Sequence, residues 1–424
     1  MAHRPRPAVD PRVLGPDRPR DPPAVGRDRT HGGAAGRDIG RCRHRAGRGT
    51  RAHRDGATAE GERAVTAART LRRESSELSG YAAAVVRTRG GRLSRRVHVR
   101  SAVVCAVLGA ICLVLGVVAL GLGEVQLSAA DVVRALLTET SPLVETLVVE
   151  WRLPRVLLAL LCGAALGAGG AIFQSLTRNP LGSPDVIGFD AGAYTGAVMA
   201  IVAGGTLAYV VPGALVGGIL TALTVYLLAY RRGVQGFRLI VVGIAVTAVL
   251  GSLNTYLIVE AELWRAQMAA IWGAGSLNGL DWSDVRVVAV ALAVIVGPLM
   301  WFGSRLRVME MGDDAATALG VRVERDRLAL IVLGVSLTSV VTAVAGPIVF
   351  VSLCAPQIAK RVTRTAGVAL VPAAFMGATL LLVCDVVALH AFAPTILPVG
   401  LLTVVLGGCY LVWLLVSQAR KEIA

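Results

Sequence analysis

Four polar side chains lie inside or at the ends of long apolar stretches, and they are the first candidates for chemistry in this sequence. They are Gln174, Asn179, Asn254 and Asp385. In lipid a polar group must face protein or water, so such positions are functional candidates by default. We predict that these residues line a route through the protein. Gln174 fits a packing hydrogen bond equally well, and a structural contact at a helix end is the favoured alternative for Asp385.

The chain lacks the residue sets that common enzymes need. A phosphate-binding P-loop requires G-x4-G-K-[ST], and neither of the two lysines, Lys360 and Lys421, stands in that context. There is no G-x-S-x-G motif, and the apolar stretches show no paired carboxylates for a proton relay. The seven cysteines are scattered without a C-x-x-C pair, which favours buried small hydrophobes. We predict no catalytic residue, no metal site and no cofactor bound by this chain.

Composition places most of the chain in a bilayer. Of its 424 residues 54% are hydrophobic, and the mean hydropathy is +0.64, which is too apolar for an ordinary soluble protein. A helix needs about 20 apolar residues to cross the hydrocarbon core. The sequence therefore predicts an all-α, polytopic membrane protein with about ten transmembrane helices. The predicted spans are residues 102–122, 156–173, 188–208, 210–228, 239–259, 285–301, 328–345, 348–358, 368–389 and 397–416.

The placement of charge predicts how these spans are oriented. Counted from a cytoplasmic N-terminus, the even-numbered connections carry most of the basic residues, for example Arg178, Arg305 and Lys360. The odd-numbered connections carry acids such as Glu145 and Glu260. Because cytoplasmic loops are enriched in Lys and Arg, we predict a protein of the cytoplasmic membrane with both termini in the cytoplasm.

Residues 1–98 differ from the rest of the chain. Residues 1–100 hold 24 arginines and 10 acidic residues, which supplies +14 of the net charge of +15. The segment has no apolar period, so it cannot bury enough surface to offset the entropy of ordering it. We predict a disordered tail. An artefact of the assigned translation start and an Arg-rich nucleic-acid-binding tail are the alternatives, and the absence of a recognisable module disfavours the second.

The stretch 151–192 connects the sequence to a known family. It contains R-L-P-R, then G-A-A-L-G-A-G-G-A-I-F-Q and then R-N-P-L-G-S-P-D-V-I-G. Gly163, Gly167 and Gly170 fall on one stripe of a helix, where small residues let neighbouring backbones approach closely. These motifs resemble the FecCD family, the membrane permeases of binding-protein-dependent ABC importers for ferric siderophores, haem and cobalamin. The resemblance implies a permease domain with the type II ABC importer fold over residues 99–424.

A short polar segment after the sixth predicted span resembles the family's coupling motif, G-[DE]-x-A-x-x-L-G. Acids at its start suit the helix dipole and a glycine suits its end, so the pattern predicts a short helix. The resemblance implies that this helix docks on an ATPase subunit, and an ordinary amphipathic loop helix is the alternative. We name it the coupling segment; its residues are Gly312, Asp313, Asp314, Ala315, Ala316, Leu319 and Gly320.

Two arginines mark the predicted outer end of the second span. Arg152 and Arg155 are three residues apart, so both can face the same way on a helix. The resemblance implies that they meet acidic residues of a periplasmic or lipoprotein solute-binding protein and orient it by charge. The alternative is that both arginines reach lipid headgroups.

The later motifs depart from the family pattern at several positions. Where the family has a glycine and a histidine near the eighth span, this chain has Ser352 and Gln357. An arginine and a glutamate of the family are replaced by Leu389 and Ile396, and a proline by Cys409. These changes put a third docking charge in doubt, and they favour either an altered partner or a specialised half of a heterodimer.

The resemblance also implies the partners of this chain. It predicts a permease subunit that pairs with a second permease subunit, as a homodimer or a heterodimer, and that is driven by two ABC ATPase subunits carrying ATP and Mg. The expected cargo is a ferric siderophore, with cobalamin or haem as alternatives. A self-contained secondary transporter is the competing hypothesis, and the scarcity of acids in the spans argues against it. We expect no nucleic-acid partner.

Overall fold

The computed structural model describes residues 83–87, 94–123, 125–138, 141–205, 207–230, 236–365, 367, 369–392 and 395–423. Within these ranges most residues of the predicted permease domain are helical, as the sequence predicts. The helices in chain order are α1 Val99–Gly121, α2 Ala129–Leu137, α3 Pro142–Glu145, a π-helical turn Thr146–Arg152, α4 Leu153–Thr177, α5 Pro184–Ile187, α6 Phe189–Val202, α7 Leu207–Ala229, α8 Gly236–Glu260, α9 Leu263–Gly273, α10 Trp282–Met309, α11 Asp313–Ala318, α12 Val323–Ala345, α13 Val351–Thr363, α14 Leu370–His390 and α15 Val399–Ile423.

The ten predicted spans each coincide with one of these helices. Among the described residues, seven helices are long and apolar enough to cross a membrane, and α6 and α15 add shorter apolar segments. The predicted span 348–358 corresponds to α13, which has only 13 residues. The prediction of a polytopic, helical membrane protein is confirmed, although several segments are too short to cross the hydrocarbon core unaided.

The predicted disordered tail lies mostly outside the described residues, except at its end. Strands β1 Ala83–Arg87 and β2 Ser94–His98 pair antiparallel, with Ala83 opposite His98 and Arg87 opposite Ser94. The structure places these ten positions in strands, and disorder of the rest of the tail stays a prediction. Valine favours strands, and two antiparallel strands satisfy each other's backbone groups. Residues 1–82 are not described.

Helix α4 lies at the centre of the helical domain. In the most apolar 18-residue stretch of this helix 78% of the residues are buried. The helix packs against α14, α12 and α13. A Cβ placed on Gly167 would overlap the Ala373 carbonyl oxygen of α14, and one placed on Gly170 would overlap the Ser352 carbonyl oxygen of α13. The glycine stripe therefore brings α4 into backbone contact with two neighbours at once, as small residues do in membrane helix packing.

The chain is irregular between α12 and α13. Residues 346–350 are not helical, and Phe350 adopts a left-handed conformation with φ of 67°, which is costly for a bulky residue. The Asp185 carboxylate of α5 accepts a hydrogen bond from the Phe350 N–H at 2.9 Å and another from the Ser352 hydroxyl. Asp185 therefore satisfies free backbone and side-chain donors at the start of α13, as buried irregular backbone requires.

We expect Gly170→Ala to lower the free energy of unfolding by about 1–3 kcal/mol, because the methyl group has no space beside Ser352. The matched control is Gly251→Ala in α8, where a Cβ would meet no atom within 4 Å. Alanine there should be neutral or stabilising by up to about 1 kcal/mol. Thermal unfolding of the purified variants in detergent measures both, and equal midpoints would contradict the close helix contact.

Candidate functional site

The coupling segment forms an exposed helix that lies between two glycines. Gly312 precedes α11 with φ of 120° and Gly320 follows it with φ of 82°, and a Cβ at either position would meet no atom within 4 Å. Both conformations favour glycine. Of the helix itself only Ala316 is buried, while Leu319 is 66% exposed. The predicted short helix is confirmed, and most of its surface is accessible to a partner.

One carboxylate attaches this helix to the rest of the domain. Asp313 Oδ1 accepts from the Arg178 guanidinium at 2.6 Å, and Asp313 Oδ2 accepts from the Arg327 guanidinium at 2.9 Å. Partial burial raises the pKa of Asp313, but the hydrogen bonds and charges of Arg327 and Arg178 outweigh it and leave the pKa below its ordinary value. Asp313 therefore stays ionised at neutral pH and bridges two arginines.

A second ion pair lies at the opposite end of α4, and this one is buried. The Arg155 guanidinium donates to both carboxylate oxygens of Asp385 in α14, at 2.9 and 2.8 Å, and also to Asn278. The side chains are only 16% and 2% exposed. The Asp385 carboxylate is thus bound by Arg155 inside the protein, and a lining role for Asp385 stays a prediction.

Arg152 is also held by the protein itself. Its guanidinium donates to the carbonyl oxygens of Leu120 at 2.7 Å and Val125 at 2.8 Å, which ties the connection after α1 to the start of α4. Nearby, the Trp282 indole donates to the Val149 carbonyl oxygen. Direct docking by Arg152 and Arg155 stays a prediction, but the structure uses both arginines to shape this end of the domain.

The polar candidates of the apolar stretches are placed in different surroundings. Gln174 is buried, donates to the Leu353 carbonyl oxygen at 2.9 Å and accepts from Gln357 at 2.7 Å. Asn179 accepts from the Leu181 N–H in the turn after α4. Asn254 is 5% exposed, and its Oδ1 has no hydrogen-bond partner among the described residues. The structure gives Gln174 a packing hydrogen bond, and a lining role for any of these residues stays a prediction.

Among the described residues three carboxylates are buried, and the sequence analysis had singled out one of them, Asp385. Asp385 pairs with Arg155, Asp326 accepts from Arg305 at 2.8 Å, and Asp190 accepts from the Thr342 hydroxyl at 3.3 Å. Sequence reasoning missed Asp190 and Asp326, together with Asp185 of α5, which accepts hydrogen bonds from the start of α13. Their shared signal was position, because all three lie in the first turn of a helix, where carboxylates are favoured.

The many apolar helices, packed around a central helix of small residues, define a multi-pass membrane protein. The sequence model of the FecCD transport family matches residues 106–417, which is most of the chain. The chain belongs to the FecCD transport family.

Relatives and a solved structure agree with this assignment. The ferric enterobactin transport system permease protein FepG of Escherichia coli K12 is 50% identical over 294 residues, which cover 69% of this chain and 89% of that protein. The probable siderophore transport system permease protein YfhA of Bacillus subtilis is 36% identical, covering 67% and 86%. A structure described as an inward-facing, metal-chelate type ABC transporter matches with a TM-score of 0.67 and 25% identity, covering 74% of this chain and 99% of that one. The fold is that of a type II ABC importer permease.

The buried ion pair predicts a large loss of stability when one partner is removed. We expect Asp385→Leu to lower the free energy of unfolding by about 3–5 kcal/mol, because the Arg155 charge is left buried without a counter-charge. The double variant Arg155→Met, Asp385→Leu should recover most of that loss. Thermal unfolding in detergent measures this, and additive losses in the double variant would show that the two side chains do not interact.

The attachment of α11 should depend on pH through Asp313. Because the folded-state pKa is lowered, the attachment is complete above the unfolded value of about 3.9 and is lost as the pH falls through the lower folded-state value. A nitroxide on Thr317→Cys, in a background with Cys409→Ser, should stay ordered between pH 5 and 8 and gain mobility only in more acidic buffer. In Asp313→Asn we expect the label to be mobile at every pH. A label that loosens near neutrality would contradict this.

Proposed function

We propose that this chain is a permease subunit of an ABC importer that moves a ferric siderophore across the cytoplasmic membrane. Two separate ATPase subunits hydrolyse ATP, and the exposed coupling segment receives their motion. A second permease subunit packs beside this one, so that a route for the cargo runs between them. The chain itself catalyses no reaction.

The observation that carries this proposal is the exposed helix α11. A six-residue helix with two acids in its first turn, bounded by two left-handed glycines, has too little buried surface to serve the core of its own domain. It is nonetheless fixed to α4 and α12 through Asp313. A helix that is exposed but firmly attached is suited to receive a force from a separate protein, and the family supports an ATPase as that protein.

The opposite end of α4 supports a docking surface for a solute-binding protein. Arg152 holds the connection after α1, and Arg155 holds Asn278 in the loop after α9. In our proposal the surface that these arginines organise contacts the binding protein. Charge then orients the encounter more than it adds affinity.

The apolar faces of two helices support a partner within the membrane. In their most apolar windows only 11% of the residues of α8 and 17% of those of α10 are buried. Lipid and a second permease subunit would cover these faces. The proposed orientation, with both termini in the cytoplasm, places the basic connections and α11 on the cytoplasmic side.

The cargo is the most specific part of the proposal. The FepG relative at 50% identity is a ferric enterobactin permease, and the Bacillus relative is a siderophore permease, which supports a ferric siderophore. A hemin transport system permease, HmuU of Yersinia pestis, is 33% identical. Haem is therefore a competing cargo in the test, and cobalamin, which the family resemblance also implies, is included beside it.

The test is reconstitution of the full transporter in vesicles, with this chain combined with the ATPase, the second permease and the binding protein that the proposal requires. We expect radiolabelled ferric siderophore to accumulate only when ATP is present on the α11 side, and excess unlabelled ferric siderophore to compete better than haem or cobalamin. Accumulation driven by an ion gradient alone, with only this chain present, would instead establish a secondary transporter. Preferred competition by haem or cobalamin would reassign the cargo.

The coupling segment provides a second test. Gly320→Arg should lower ATP-driven uptake at least about tenfold, equivalent to about 1.4 kcal/mol, because a large charge is added on the docking side at a backbone angle that favours glycine. Gly320→Asn tolerates that angle better and should lose less. Membrane insertion is measured in parallel, and normal uptake by well-inserted Gly320→Arg would remove the docking assignment.

A further inference from the structure

Two motifs that are far apart in the sequence meet at one carboxylate. Arg178 begins the R-N-P-L run after α4, and Asp313 is the first residue of α11, 135 positions later. We infer that Arg178, Asp313 and Arg327 form a clamp that makes α11 move as one body with α4 and α12, so that motion imposed by the ATPase reaches the helices of the route. This inference rests on the proposed function and assigns Arg178 and Arg327 as positioning residues.

The clamp is fixed to α4 through the backbone of Arg178. This residue ends α4 in a left-handed conformation with φ of 50°, and its backbone N–H bonds back to the Ser175 carbonyl oxygen. From there the guanidinium reaches both the Met309 carbonyl oxygen at 3.0 Å and Asp313. Arg178 therefore connects the end of α4 with the last turn of α10 and the first turn of α11.

The second arm of the clamp is anchored in α12. The Arg327 side chain is only 6% exposed, and its other terminal nitrogen donates to Glu324 at 3.0 Å. A guanidinium fixed in this way presents a rigid donor to Asp313. Because the two oxygens of Asp313 bond different arginines, the loss of either arginine leaves α11 tied to one helix instead of two.

Nothing else described in α11 makes a comparably stiff connection. Both flanking glycines have positive φ angles and open space around them, and Ala316 supplies the buried apolar contact of the helix. The nearest additional tether is Ser175 of α4, which donates to Glu310 at 2.7 Å before the coupling segment begins. Without the clamp the two glycines would act as hinges. Motion of α11 would then be lost before it reached α4.

The experiment measures the number of ATP molecules hydrolysed per chelate imported, in the reconstituted transporter. We expect Arg178→Gln and Asp313→Asn each to lower uptake about fivefold to tenfold while ATP hydrolysis stays within about twofold of wild type, so that the ratio rises. The double variant should be no worse than the more impaired single variant, because both remove the same connection. Arg178→Lys retains the charge and should restore part of the uptake.

The matched control is Arg325→Gln. Arg325 lies two residues before Arg327 on α12, is exposed, and makes no ion pair among the described side chains. The Arg325→Gln variant removes the same charge as Arg178→Gln from the same region but leaves the clamp intact. Its ratio of ATP hydrolysed to chelate imported should therefore equal that of wild type. If Arg178→Gln and Asp313→Asn also match wild type, the clamp is wrong and the proposed function stands. If the losses of uptake in the two single variants multiply in the double variant, Asp313 would instead be assigned to direct contact with the ATPase.

A proteolysis assay on the purified chain tests the clamp without transport. Chymotrypsin can reach Met311 and Leu319, each 66% exposed, once the segment opens locally. We expect cleavage of the coupling segment to be about threefold to tenfold faster in Arg178→Gln than in wild type or Arg325→Gln. Equal rates would overturn the clamp. If the reconstituted wild-type transporter imports no chelate, the proposed function is wrong. The proteolysis assay then still tests the clamp, because it does not depend on transport.

Discussion

The structure depends on the backbone contact that α4 makes with its neighbours. Lipid tails are as apolar as leucine side chains, so helices in a bilayer gain little from hydrophobic burial against one another and associate by close packing and hydrogen bonds. Gly163, Gly167 and Gly170 remove the side chains that would hold α4 away from α14 and α13. At the end of this stripe Gln174 bonds the Leu353 carbonyl oxygen and Gln357, which fixes the register of α13 against α4.

The charged groups at the two ends of α4 use that rigid centre. Arg155 near one end pairs with a buried carboxylate of α14, and Arg178 at the other end binds the carboxylate that begins α11. The first pair is almost fully enclosed, so its removal is expressed mainly as lost stability. The second pair is about half exposed, so its contribution to stability is small. It matters because it joins the end of α4 to the start of α11. A helix packed tightly along its length transmits a displacement from one end to the other with little loss.

The irregular segment between α12 and α13 shows how the fold accommodates non-helical backbone inside a membrane protein. Such backbone persists only where protein groups satisfy it, and here Asp185 does so from α5. Ser352, which stands where the family pattern has glycine, donates to the same carboxylate. The substitution therefore adds a hydrogen bond to the junction of α5 and α13. The short α13 can then pack its glutamine against α4 instead of crossing the bilayer as an independent span.

The sequence alone determined the helices, because apolar runs of suitable length and the positions of Gly, Pro and acidic residues are local properties. It also determined the short coupling helix, whose end signals lie within nine residues of one another. Only the tertiary structure decided the polar partners. Arg155 with Asp385 and Arg178 with Asp313 are separated by 230 and 135 positions, and no periodicity encodes which charge meets which. The same holds for Asp190 and Asp326, whose burial follows from the packing of other helices around them. A membrane helix can be identified from its own composition because the bilayer is a uniform solvent, whereas an ion pair depends on where two separate helices cross.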